Sequence, residues 1–191
     1  VLGGGSNLLL TKDFDGLTLR IENRGIEIVE QDGRKVRVKV AAGENWNDFV
    51  LWCLENDLGG VENLALIPGN VGAAPIQNIG AYGVELREVF ESCEAISIDT
   101  GKVKIFKKDE CDFGYRNSIF KNTLKGQYII FSVQFNLNKP PHAINISYKG
   151  LSEKLEGKIP NIQSIAQAVT EIRSSKLPDP KQIGNCGSFF K

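Results

Sequence analysis

The chain has no long apolar run, no methionine, no paired-cysteine motif and no net charge. Across 191 residues, 23 Lys and Arg balance 23 Asp and Glu. A basic excess is what draws proteins to nucleic acid and to anionic membranes, so neither partner is expected. No stretch approaches the roughly 18–20 apolar residues of a membrane helix. No basic segment with an apolar core opens the chain, so secretion is not indicated and a cytoplasmic location is the expectation. The four cysteines (Cys53, Cys93, Cys111 and Cys186) form no CxxC, and the lone His142 lacks a partner at zinc spacing. No metal is therefore expected, and free thiols are the simplest reading. Met is absent even at the start, Val1, and the chain closes on Gly187-Ser188-Phe189-Phe190-Lys191. Both ends are expected to be cut from a longer chain.

What is present fits a folded protein. Hydrophobic residues make up 41% and charged residues 24%, too apolar a mixture for disorder. The length suits one large domain or one and a half smaller ones, with room for a sizeable core. Alternation at Val36-Arg37-Val38-Lys39-Val40 predicts a strand. Asn45 can cap a helix whose stripe is Trp46, Phe49, Val50, Cys53 and Leu54, with Gly59-Gly60 as its stop. Segments 93–98 and 102–106 flank Asp99-Thr100-Gly101 and read as a hairpin. A β-branched and aromatic strand is predicted over 128–137, and a helix over about 162–175. Pro178 and Pro180 then force extension. Strands and hairpins with two or three helices make the class α+β.

Four segments carry the chemistry. In Gly3-Gly4-Gly5-Ser6-Asn7, glycines can turn successive N–H groups into one concavity that binds phosphate; a plain glycine turn is the alternative. The GxGxxG spacing fails because Leu8 stands where glycine is needed, and the Walker lysine is missing. The tract from Ile67 to Gly83 holds four glycines, two prolines and three alanines, and cannot be regular helix or strand throughout. It reads either as a stiff loop beside something flat or phosphorylated, or as a crowded structural crossing. Arg116, beside Tyr115, offers a planar cation for carboxylate or phosphate, or else a surface arginine stacked on that tyrosine. Ser188 lies in no GxSxG elbow, and His142 is distant in sequence, so a Ser-His-Asp hydrolase is not expected. Cys186 has no neighbouring base to lower its pKa.

The ordered set GGGSN…ENLALIPGNVGAAPIQNIGAYGVEL…FGYRNSIFK…KLPDP…GNCGSFFK resembles the UDP-N-acetylenolpyruvoylglucosamine reductases, flavoenzymes of peptidoglycan precursor synthesis. The resemblance spans nearly the whole chain. It implies an FAD-binding module of the vanillyl-alcohol-oxidase (PCMH) type followed by the start of a substrate domain. The implied division is 1–15 as a remnant of the first FAD subdomain, 16–175 as the second, and 176–191 as the start of the substrate region. FAD would lie against Gly3, Gly4, Gly5, Ser6, Asn7, Pro68, Gly69, Gly72, Ala73, Ile79, Gly80, Ala81 and Gly83. NADPH would be the hydride donor and a UDP-sugar the substrate. By the same likeness Arg116 is the active-site cation, Ser188 the proton donor, and Tyr115, Tyr148 and Lys176 substrate contacts. Asn117 stands where many members have Asp, Cys186 where Ala is common, and the family's downstream catalytic glutamate falls beyond Lys191. A related flavin oxidase and a nucleotide-binding fragment without activity are the alternatives. The sequence assigns no oligomeric state.

Overall fold

The computed structural model describes residues 1–179, 182 and 183. Among them are seven strands and three helices, in the order β1 (Ile26–Asp32), β2 (Lys35–Ala41), α1 (Trp46–Glu55), β3 (Gly80–Ala81), β4 (Val84–Glu85), β5 (Phe90–Ser97), β6 (Val103–Lys107), β7 (Tyr128–Asn138), α2 (Lys149–Lys154) and α3 (Ile162–Lys176). Five strands form one antiparallel sheet in the order β1-β2-β7-β5-β6, and β3 pairs with β4 in a separate short hairpin.

The middle of the sheet follows from residue pattern. Val36, Val38 and Val40 of β2 are fully buried, while the basic residues between them face the other way. β7 is the long central strand, and Ile130, Val133, Phe135 and Leu137 bring it into the same core. β1 is an edge strand whose residues beyond Ile26 are exposed. β5 and β6 form the expected hairpin, with β5 beginning at Phe90, three residues before the segment read from sequence.

α1 starts where Asn45 accepts a hydrogen bond from the Asp48 N–H at 3.1 Å. It buries Trp46, Phe49, Val50 and Cys53, and the rings of Trp46, Phe49 and Phe135 pack together. Burying each such side chain stabilises by about 1.5–3 kcal/mol. The expected stop at Gly59-Gly60 is corrected: α1 ends at Glu55 with Asn56 as its cap, followed by Asp57 at φ +52°. Gly59 instead exchanges backbone hydrogen bonds with Asn138 at 2.8 and 3.1 Å. A Cβ on Gly59 would meet His142 Nδ1 at 2.7 Å, and one on Gly60 would meet Val89 at 2.8 Å. These glycines serve close approach, not capping. α3 begins with a reciprocal cap between Asn161 and Ser164 and buries Ile162, Ile165, Ala166, Ala168 and Val169.

The opening segment is tied down at Leu2, whose N–H donates to the Leu19 carbonyl at 2.8 Å and whose carbonyl accepts from the Ile21 N–H at 2.9 Å. Leu8, Leu9, Leu10, Phe14 and Leu17 are exposed. No helix among the described residues is long and apolar enough to cross a membrane.

Candidate cofactor site

Two glycine-rich segments face each other across a cavity of about 600 Å³. One wall is the backbone from Gly3 to Asn7, the other the tract from Ile67 to Gly80. Their approach is close: a Cβ on Gly4 would lie 2.9 Å from Asn70 Oδ1 and 3.2 Å from the Gly69 Cα. Gly5 sits at φ +69°, and a methyl placed on it would meet nothing within 4 Å, so this turn opens onto free space. None of the backbone N–H groups from Gly3 to Asn7 donates to an acceptor among the described residues. Consecutive unpaired amides around a concavity form an anion nest.

The second wall is rigid because its backbone is stitched to the end of β2 and the start of α1. The Trp46 N–H donates to Gly69 O at 3.0 Å, the Val71 N–H to Glu44 O at 2.9 Å, and the Gly72 N–H to Ala42 O at 2.9 Å. Val71–Gln77 winds as a 3-10 turn through Pro75 and stops at Asn78, which takes φ +44°. Trp46, Ile67, Ala73, Ile76 and Ile79 give the cavity apolar surface.

Two guanidinium groups complete it. Arg116 holds φ +53° and donates from Nη2 to the Gly80 carbonyl. Its guanidinium carbon also lies 5.4 Å from the Tyr115 ring centre, so it both stacks on the tyrosine and lines the cavity. Arg173, from the last turn of α3, donates from Nε to Leu66 O at 3.1 Å. Burial lowers its pKa from the ordinary arginine value, while its contact with Tyr82 acts in the opposite direction. Burial likewise raises the Tyr82 phenol, against the pull of Arg173. Among the described residues, no acidic side chain lines the cavity. A hollow with two cations, an amide nest and apolar walls suits a flat anionic ligand.

The family model described as "FAD binding domain" matches residues 1–107. The chain belongs to the FAD-binding domain family. It is also 54% identical over its whole length to the UDP-N-acetylenolpyruvoylglucosamine reductase of Flavobacterium johnsoniae and 53% identical to that of Amoebophilus asiaticus. It spans 58% and 57% of the lengths of those two relatives. Among solved structures, the UDP-N-acetylenolpyruvylglucosamine reductase of Thermus caldophilus matches with a TM-score of 0.55 at 24% identity, over 74% of this chain and 44% of that one. At that identity the match speaks for fold, and the α+β arrangement is that of an FAD-binding PCMH-type module.

The residues present fit the cofactor of an FAD-binding domain. The amides at Gly3–Asn7 suit a diphosphate, and the apolar side chains opposite suit a ring system. Of the residues expected from sequence to hold FAD, Gly3, Gly4, Gly5, Ser6, Asn7, Pro68, Gly69, Ala73, Ile79 and Gly80 line this cavity. Gly72, Ala81 and Gly83 do not. Gly72 packs on Ala42, Ala81 belongs to the short strand β3, and Gly83, at φ +84°, faces Asn145 and Ser147. Arg116 lines the cavity. Tyr115 is exposed beside it. Tyr148 stacks edge-on against Tyr82, with ring centres 5.1 Å apart, and Lys176 is exposed at the end of α3. Ser188 and Cys186 lie outside the described residues. Asn70 and Gln77 line it too, within the glycine-rich tract already singled out, whereas sequence reasoning missed Trp46, Arg173 and Leu177 as wall residues. For Arg173 a signal existed: it falls on the buried stripe of α3, where an apolar residue is expected.

Proposed function

We propose that this chain is the FAD-holding part of a reductase that converts the enolpyruvyl ether of UDP-N-acetylglucosamine to UDP-N-acetylmuramate with NADPH, in cytoplasmic peptidoglycan precursor synthesis. The observation that carries the reading is the cavity with two arginines, an amide nest and no acidic wall residue among those described. The whole-chain likeness to reductases of that name supports the substrate class. Bound FAD supplies hydride transfer between the nicotinamide and the alkene.

The protein's own part is charge and proton placement. Hydride addition leaves negative charge beside the substrate carboxylate, and Arg116 is the fixed cation in reach of the cavity. One such donor in a dry site is worth about 3–4 kcal/mol. Its left-handed backbone and its bond to Gly80 O hold the guanidinium in place before substrate arrives. Ser188 gives the proton that completes the addition; a hydroxyl suffices because the carbanion is far more basic. Tyr115, Tyr148 and Lys176 contact the UDP-sugar. Ala81, Gly72 and Gly83 support the loop that carries the cofactor wall. Residues 1–15 and 16–175 together hold FAD, and 176–191 begin the substrate region.

Stopped-flow absorbance tests the assignment. In Ser188→Ala, NADPH still bleaches the flavin, while turnover of the enolpyruvyl UDP-sugar falls by about 10²–10⁴. Normal turnover in that variant removes Ser188 from the role. Hydrogen peroxide formation without any reduction of the sugar removes the reductase reading.

A further inference from the structure

A carboxylate stands next to Arg116 and is kept from pairing with it. Glu85 lies opposite Gly80 across the β3–β4 hairpin, and Arg116 donates to the Gly80 carbonyl. A Cβ on Gly80 would meet Arg116 Nη1 at 2.9 Å and Glu85 Cγ at 3.0 Å, so the two side chains flank one point. An arginine and a carboxylate brought this close are drawn into a charge-assisted pair. Here they form none: among the described residues no carboxylate makes an ion pair with Arg116. Arg116 lines the cavity and Glu85 does not.

The cause is a clamp on the far side of Glu85. Its Oε2 accepts from Asn78 Nδ2 at 3.1 Å and pairs with Arg87 Nε at 2.8 Å, and its side chain also accepts the Glu88 N–H. Both holding side chains make a second bond, to the loop that carries Arg116. Asn78 Nδ2 donates to the Gly114 carbonyl at 3.0 Å, and Arg87 Nη1 to the Phe113 carbonyl at 3.4 Å. The Asn78 side-chain oxygen accepts the Arg87 N–H at 3.0 Å, which joins the two holders. Asn78 is fully buried and closes the 3-10 turn of the cofactor wall in a left-handed conformation that asparagine tolerates. One buried amide therefore links the cofactor wall, the carboxylate and the Arg116 loop.

We propose that Asn78 and Arg87 are positioning residues that hold the Glu85 carboxylate away from Arg116, so that the guanidinium stays open to the carboxylate of the substrate. The inference rests on the reading of Arg116 given above and adds the residues that keep an internal competitor off its planar fork. Released from the clamp, Glu85 would occupy the cation in place of the ligand.

Calorimetric titration of the oxidised holoenzyme with two nucleotide sugars tests this. UDP-N-acetylmuramate carries a carboxylate and UDP-N-acetylglucosamine lacks it, so the ratio of their affinities isolates the carboxylate's share. Arg87→Leu removes one holder at a half-exposed position. In that variant the ratio is expected to fall roughly tenfold, the worth of one charge-assisted bond, with UDP-N-acetylglucosamine binding within about threefold of wild type. Arg87→Lys keeps a cation there and recovers at least half of the loss on a logarithmic scale. Adding Glu85→Gln to Arg87→Leu brings the ratio back to within about threefold of wild type, because no charge remains to compete. If Arg87→Leu does not fold, Asn78→Gly, which suits the left-handed backbone, carries the same expectation and the same rescue. An unchanged ratio in the single variant overturns the proposal. A loss that Glu85→Gln leaves in place or deepens also overturns it, since that is the behaviour of a clamp that only supports the loop. A wild-type protein that binds the two sugars equally well overturns the reading of Arg116 itself, and this inference with it.

Discussion

Gly72→Ala separates packing from cofactor binding. Gly72 lies in the glycine-rich tract, yet its missing Cβ points at protein. A methyl there would sit 2.5 Å from Ala42 Cβ, 3.1 Å from Ala42 Cα and 3.2 Å from Ala42 O. Ala42 cannot retreat freely, because its N–H donates to Phe131 O at 2.9 Å and its carbonyl accepts from Gly72 at 2.9 Å. Two backbone segments would have to part to admit one carbon. Overpacking of this kind costs typically 1–3 kcal/mol. For a chain of this size each kcal/mol lowers Tm by roughly 2–4 °C, so a fall of about 2–12 °C is expected. The assay is a calorimetric or circular-dichroism melt, paired with an FAD titration below the transition. FAD affinity of the folded variant is expected to stay within about threefold of wild type, since the contact lies outside the cavity. A Tm unchanged within about 1 °C refutes the packing argument. A melt like wild type with a large loss of FAD affinity does too, and returns Gly72 to the cofactor wall.

Other perturbations test separate parts of the fold. Trp46→Phe keeps an aromatic ring but deletes the buried Nε1–H bond to the Leu64 carbonyl at 2.9 Å; stability should fall by about 1–3 kcal/mol in urea titration, and no change would show that this bond is dispensable. At Glu94 burial pushes the carboxyl pKa up, but hydrogen bonds from Lys39 and Ser132 and the lysine charge outweigh it and leave the net shift downward. That stability is present above the ordinary carboxylate pKa of about 4.3 and is lost as pH falls through the lowered folded value. Glu94→Gln should therefore narrow the gap between urea midpoints measured at neutral and acid pH, and an unchanged gap contradicts the pairing. Cys53, Cys93 and Cys111 are buried, and burial raises Cys53 while a contact with Cys111, together with burial, raises Cys93. In a Cys186→Ser background, a thiol reagent should label nothing until the protein unfolds. Rapid labelling of the native state would show that these sites open.

The sequence made legible those elements whose burial differs between faces. β2, α1, β7 and α3 each carry a periodic contrast between apolar and polar positions; β2, β7 and α3 lie within a residue or two of their expected spans, while α1 begins where expected and stops short of Gly59. β1 lacks that contrast because it is an edge strand that is exposed beyond Ile26. α2, six residues long with one buried side chain, offers too little pattern to read. Gly59-Gly60 misled for a physical reason: the composition of a helix stop and of a tight crossing is the same. At the site, the two glycine tracts announced themselves by composition, and Arg116 by its setting. Arg173 was hidden because basic residues are ordinary in the last turn of a helix. Only its position on the stripe, and the cavity it borders, distinguish it from Lys176 one turn on, which faces solvent.

The most direct test of the cavity is hydrogen exchange at the amides of Gly3 to Asn7. These N–H groups donate to nothing among the described residues, so they should exchange fast in the empty protein and slow down when FAD saturates it. ADP, which carries the diphosphate, should give the same protection, and riboflavin, which lacks it, should not. FAD that binds while this segment goes on exchanging at its free rate would contradict the assignment of the nest to the cofactor.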